Sequence, residues 1–176
     1  VTRRCLAALA YAPTRIPFEV IVVDDGSTDD TSMALQREAP GVRVVRHDFS
    51  RGFNQACCSG AAEARAPYLV LLNNDTEPCA CWLEELIFAF EHWPDTGLAG
   101  AQLILPDGRL QEAGCIVWGD GSPWNYGRTR NPFEPAYAYG RQVDYVSGAA
   151  LMIRTELWRA VGGFSPEFSP AYYEDT

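Results

Sequence analysis

The 176-residue chain is 47% hydrophobic, enough to bury one sizeable core, and reads as a single domain. Its 14 basic and 23 acidic side chains leave a net charge of −9, which argues against nucleic acid or an anionic membrane surface as a direct partner. No apolar run approaches the roughly 18 residues that span a bilayer, and no apolar core follows Val1-Thr2-Arg3-Arg4 as it would in a signal peptide.

In chain order, the pattern predicts a short helix over Thr2 to Tyr11, closed by Pro13 and Pro17. Val20-Ile21-Val22-Val23 is an apolar, β-branched run of the kind that forms a strand buried on both faces. It leads into Asp24, Asp25, Gly26 and a helix-start signal at Ser27 and Thr28, with a helix to about Glu38 stopped by Pro40-Gly41. Val42 to Arg46 is a second strand. Ser50 caps a small-residue helix over Gly52 to Ala64, and Tyr68 to Leu72 is a third strand, followed by a helix from about Ala80 to His92. Alternating strands and helices imply a parallel sheet with right-handed crossovers.

The second half changes character. Leu98 to Leu105 and Leu110 to Trp118 flank the turn Pro106-Asp107-Gly108-Arg109 and read as paired strands. Residues 119–142 have little periodicity and are expected to be an irregular, functional or mobile loop. Val143 to Arg154 returns as a strand, and Thr155 starts a short helix ending at Gly162-Gly163. The cysteines at 5, 57, 58, 79, 81 and 115 form no Cys-x-x-Cys pair, and two histidines do not suggest a zinc site. Reduced thiols suit a cytoplasmic protein, whether free or at the inner face of the membrane.

Two buried strands end in polar clusters, Asp24-Asp25-Gly26-Ser27 and Asn73-Asn74-Asp75-Thr76. Open α/β sheets bind ligands at the carboxyl ends of their strands. Oxygen donors from two such ends can surround one polyanion, with a hard divalent cation, magnesium or manganese, screening the charge. The residues alone are equally consistent with acidic turns and helix caps.

"VIVVDDGSTDDT" and "YLVLLNNDT" resemble the nucleotide-binding and DxD-like motifs of family-2 glycosyltransferases with the GT-A fold. "VDYVSGAALMIRTELWRAVGGFSPEFSPAYYEDT" resembles the same family's acceptor-side segment and terminal Glu-Asp motif. The three matches lie in order over nearly the whole chain. The resemblance implies an α/β, Rossmann-like GT-A domain, a mostly parallel sheet flanked by helices. Residues 1–97 would form its nucleotide-binding half and 98–176 its acceptor-side half. It further implies a first strand before Val1 and more helix after Thr176, so that the chain would be a core fragment.

The resemblance assigns Asp24, Asp25, Ser27 and Asn74 to the nucleotide and Asp75 to the metal. Asp25 would accept a hydrogen bond from the ring N–H of the base. The family commonly has an aspartate where Asn73 stands, an asparagine at Cys58 and often another at Ser50; Gly52, Phe53 and Gly60 fit its glycine-punctuated helix. Asp175 would be the base of an inverting transfer, beside Glu174. Gly148 and Ala149 would let backbone approach the donor sugar, and Trp124 and Tyr173 would stack on sugar rings, which Trp118, Tyr126 and Tyr172 could also do. The implied partners are a nucleoside-diphosphate sugar and a polysaccharide or lipid-linked glycan acceptor. Two other functions stay open, a non-catalytic nucleotide-sugar-binding module and a sugar-nucleotide nucleotidyltransferase, though the Gly-rich basic phosphate loop of the latter is not visible.

Overall fold

Strands and helices alternate through the first 92 residues of the computed structural model, which describes residues 1–169. In chain order the elements are α1 (Thr2–Tyr11), β1 (Ile21–Asp25), α2 (Thr31–Glu38), β2 (Arg43–His47), α3 (Phe53–Glu63), β3 (Tyr68–Leu72) and α4 (Trp82–His92). There follow β4 (Leu98–Gly100), β5 (Leu103–Ile104), β6 (Leu110–Glu112), β7 (Cys115–Val117), β8 (Pro123–Asn125), β9 (Ala150–Arg154) and α5 (Thr155–Val161), with a 3-10 turn at Pro166–Phe168. The described residues divide into two compact units, 15–69 with 153–169, and 1–14 with 70–152.

In the unit built around Arg15–Leu69, β1 and β2 run parallel in a register that places Asp24 beside Arg46 and Asp25 beside His47. The helix between them starts later than its Ser27-Thr28 signal. Gly26 turns the chain at φ +74°, and the Asp24 carboxylate holds the Ser27 N–H, so residues 26–30 form a turn and α2 begins at Thr31. The next helix is likewise not capped by Ser50; its N-cap is Gly52 at φ +86°, and the Ser50 hydroxyl is engaged elsewhere. Small residues let α3 approach β1: a Cβ on Gly60 would stand 3.0 Å from a Val23 methyl. At the far end of this unit, the Thr155 hydroxyl donates to the Ala66 carbonyl at 2.7 Å and Arg159 to the Ala64 carbonyl at 3.0 Å, anchoring α5. Trp158, 7% exposed, packs edge-on to Phe164 at 5.1 Å.

In the other unit, Leu83, Leu86 and Phe90 recur at helical spacing and bury one face of α4. Each such side chain contributes about 1.5–3 kcal/mol by leaving water. The three-stranded sheet has the order β3-β9-β4, with β9 in the middle, and Met152 of that strand is 1% exposed. Beyond β4 the chain makes two short antiparallel pairs, β5 with β6 and β7 with β8.

The described strands therefore form four small sheets. A mostly parallel sheet, as expected, is not what they form: β1 and β2 pair in parallel, while the tight connections at 105–109 and 118–122 force their flanking strands to run antiparallel. Residues 119–142 are largely the irregular segment expected of them, made of turns and bends apart from one short strand. They contain β8 and are bonded through backbone to the preceding strands, with Leu110 N–H on the Arg130 carbonyl and Tyr126 N–H on that of Gly114.

Candidate functional site

The end of β1 is the most densely bonded polar region described. Asp24 has a fully buried carboxylate. Its Oδ1 accepts the Ser27 N–H at 3.0 Å, and its Oδ2 accepts the Ser32 hydroxyl at 2.5 Å and the Arg46 guanidinium. Arg46 also donates to the Ser27 carbonyl at 2.9 Å, closing the turn from its other side. Burial alone would raise the Asp24 carboxyl, but the bonds from Ser27 and Ser32 and the Arg46 charge bring it below its ordinary pKa.

Asp25 faces the other way and collects the loop after β2. Its Oδ1 accepts from His47 Nδ1 at 2.6 Å and from the Arg51 N–H at 2.9 Å. Its Oδ2 accepts the Ser50 hydroxyl at 2.8 Å and the Gly52 N–H at 2.9 Å. A carboxylate offers about four acceptor sites, and these four donors fill them. Desolvation opposes ionisation here, yet the bonds from His47, Arg51, Ser50 and Gly52 outweigh it and hold Asp25 well below the usual carboxylate range. The imidazole of His47, 6% exposed, passes the connection on to the Ser59 hydroxyl on α3 at 2.9 Å.

The second strand end, after β3, is built differently. The Asn73 N–H donates to the Ala149 carbonyl at 2.9 Å, and the Asn73 carbonyl accepts the Thr76 hydroxyl at 2.7 Å, so the motif is a tight turn fixed by its main chain. Asn74 donates its amide to the Thr2 hydroxyl at 2.8 Å. Beneath the turn lies buried Cys5, 3.8 Å from the Asn73 carbonyl. Burial, together with the negative charges of Asp75 and Glu77, raises the Cys5 thiol pKa against a smaller opposing effect of Thr76. Asp75 is exposed, and among the described residues its carboxylate has no hydrogen-bond or ion-pair partner.

A hard divalent cation fits this second motif by donor chemistry, since a free carboxylate and an amide oxygen are the ligands such ions prefer. No cluster of three His, Cys, Asp or Glu side chains that could hold a metal ion is present among the described residues. Gly148 and Ala149 reach the same turn through that Ala149 carbonyl, with Gly148 buried.

Trp124 lies apart on the β7–β8 hairpin, 57% exposed, and pairs with Trp118 at 6.1 Å. The two line a shallow cleft of about 320 Å³ with Ile116, Tyr126 and Arg128. Tyr173, Glu174 and Asp175 lie outside the described residues. Arg46, His47, Ser32 and Ser50 escaped the reading of the sequence as partners of the paired acids. The signal was there: a parallel register sets the polar end of the Arg43–His47 strand beside Asp24 and Asp25.

The chain is 31% identical over 175 residues to the O-antigen biosynthesis protein RfbC of Myxococcus xanthus, covering 94% of this chain and 14% of that protein. It is 28% identical over 198 residues to the N-acetylglucosaminyl-diphospho-decaprenol L-rhamnosyltransferase of Mycobacterium tuberculosis, covering 98% and 62% respectively. Among solved structures it is similar to the mannosyltransferase PcManGT from Pyrobaculum calidifontis in complex with GDP-Man and Mn2+. That match has TM-score 0.63 and 20% identity and covers 93% of this chain and 43% of the other. The chain thus spans less than two thirds of the length of each of these relatives. The model of the family described as "Glycosyl transferase family 2" matches residues 1–158. With an α/β fold shared with a solved glycosyltransferase and a family match over most of its length, the chain belongs to glycosyl transferase family 2.

Proposed function

We propose that this chain is the catalytic region of an inverting glycosyltransferase, moving a sugar from a nucleoside-diphosphate donor to a hydroxyl of a polysaccharide or lipid-linked glycan. The observation that carries the reading is the family match over residues 1–158, in which both acid-bearing strand ends fall. Asp24, Asp25 and Ser27 shape the nucleotide edge. Because four protein donors already fill Asp25, a base N–H reaches it by displacing one of them, while the 50–52 backbone it holds presents further contacts. Asn74 contributes its amide oxygen.

Asp75 would hold magnesium or manganese, which when bound offsets the charge of the diphosphate. In the transfer itself, the acceptor oxygen bonds to the anomeric carbon as the bond from that carbon to the diphosphate oxygen breaks. The electron pair leaves with the nucleoside diphosphate, and the acceptor proton passes to Asp175, with Glu174 orienting the acceptor. One in-line displacement inverts the anomeric centre. Gly148 and Ala149 lie beside the turn that carries Asp75, where backbone can approach the donor sugar. Trp124, with Trp118 in its cleft, offers an aromatic face to an acceptor sugar, as Tyr173 would. Residues 1–97 would serve the nucleotide and 98–176 the acceptor.

The test is calorimetric titration of nucleoside diphosphates with and without manganese, alongside separate assays of donor hydrolysis and transfer. Metal-dependent binding with transfer is the expected outcome. Binding without either reaction would make the chain a nucleotide-sugar-binding module.

A further inference from the structure

His47 belongs to none of the roles assigned above, yet it is buried and bonded at both ring nitrogens. Asp25 is held ionised by its surroundings and can only accept hydrogen bonds, so His47 Nδ1 must carry a proton and donate. The other nitrogen, Nε2, stands 2.9 Å from the Ser59 hydroxyl in the middle of α3. The three residues come from the end of β1, the end of β2 and a helix, and the chain they form fixes the ring in orientation and tautomer. Asp25, so aimed, receives the Ser50 hydroxyl and the Arg51 and Gly52 N–H groups.

We infer that His47 is a positioning residue: through Asp25 it sets the 50–52 loop for nucleotide binding, with Ser59 locking the imidazole from behind. The nucleotide part of this inference rests on the proposed function, while the anchoring of the loop does not. Although aspartate, histidine and serine in a row also occur where a serine is activated as a nucleophile, Ser59 sits within a helix and its hydroxyl is directed at the ring.

The test uses variants that mimic one ring nitrogen at a time in the full-length protein. His47→Asn carries an amide N–H where Nδ1 lies and keeps the bond to Asp25. His47→Gln carries its amide farther out, where Nε2 lies, and loses that bond. Two readouts are taken, amide exchange at Arg51 and Gly52 without ligand, and titration with uridine, thymidine and guanosine diphosphates in the presence of manganese.

In His47→Gln, exchange at both amides should quicken by about tenfold or more and affinity for whichever diphosphate binds should fall by a similar factor. His47→Asn should restore both to within about threefold. Ser59→Ala, which leaves Asp25 untouched, should move the same amides in the same direction by a smaller factor, and it serves as the reading if His47→Gln does not fold. Unchanged amides in His47→Gln or Ser59→Ala, or equal losses in His47→Asn and His47→Gln, would overturn the inference. So would covalent labelling of Ser59 by a fluorophosphonate. Quickened amides in a protein that binds no diphosphate would confirm the anchor and defeat the nucleotide reading instead.

Discussion

The strand ends at Asp24-Asp25 and at Asn73-Asn74-Asp75 look alike as strings of letters, each an apolar run closing on acids and amides. In three dimensions they are opposites. At the first, every carboxylate oxygen is already engaged by protein donors, the acids are drawn below their ordinary pKa, and Asp24 is sealed from solvent. At the second, the Asn73 main chain and the Thr76 hydroxyl make the turn, and the Asp75 carboxylate is exposed with no hydrogen-bond or ion-pair partner among the described residues. An acid saturated within the fold holds neighbouring loops, and a ligand reaches it only by displacing a protein donor, whereas an acid left open can act on a ligand directly. Proximity of a carboxylate to a sheet edge does not by itself distinguish the two roles; the count of donors already on its oxygens does.

The largest effect expected lies at neither strand end. Asp175→Asn should lower the transfer rate by roughly 10²–10⁴-fold in the full-length protein while leaving donor affinity nearly unchanged. Near-normal turnover would remove Asp175 as the base, and an equal loss of donor binding would move it into the donor site.

Next in size is Asp25→Ala, which strips partners from the Arg51 and Gly52 amides, the Ser50 hydroxyl and His47. It should cost about 2–4 kcal/mol of unfolding free energy. The pH dependence sharpens this. Asp24 and Asp25 are depressed in the folded state, so their stabilisation is fully present above the unfolded carboxyl pKa, near about 4, and is lost as pH falls through the lower folded values. Denaturant midpoints measured from neutral pH downward should therefore drop, and the drop should shrink in Asp25→Asn. An acid limb identical in wild type and variant would erase the contrast between the two strand ends.

Asp75→Ala should show the converse profile. Stability should stay within about 0.5 kcal/mol of wild type, as for other exposed substitutions, while the manganese enhancement of nucleoside-diphosphate binding, about tenfold for one lost carboxylate ligand, disappears in calorimetry. If folding suffers instead, Asp75 is as structural as Asp25. Smallest is Trp124→Ala, which should raise the acceptor KM by a few-fold, the loss of one aromatic contact of about 0.5–1.5 kcal/mol, with kcat and melting temperature held. A fall in kcat alone would take Trp124 out of acceptor binding.

Much of this arrangement was legible in the order of residues. α1 and β3 have the bounds read from the sequence, because both are bracketed by proline or by polar clusters that admit little choice. The alternation through His92 followed from apolar periodicity, which tertiary contacts reinforce. The start of α2 was misplaced because Ser27 and Thr28 carry a generic cap signature, and only folding reveals that Asp24 captures the Ser27 N–H from the preceding strand. The same holds for Ser50, whose hydroxyl prefers a carboxylate brought to it by the β1–β2 register over the helix end beside it in sequence. Residues 119–142 looked patternless since β8 is three residues long and owes its form to its partner strand rather than to its own composition. His47 was invisible for a related reason: one histidine says nothing until the neighbouring strand supplies its acid.

At Gly26 a Cβ would fall 2.5 Å from the Phe49 carbonyl carbon and 2.6 Å from the Ser50 nitrogen. The turn after β1 and the loop after β2 are thus meshed backbone to backbone, like two teeth of one gear. Neither can be lengthened, shortened or swung outward without carrying the other. Among related chains, the lengths of these two loops should change together or stay fixed together. A change of donor nucleotide that required a longer loop on one side would have to be matched across the mesh.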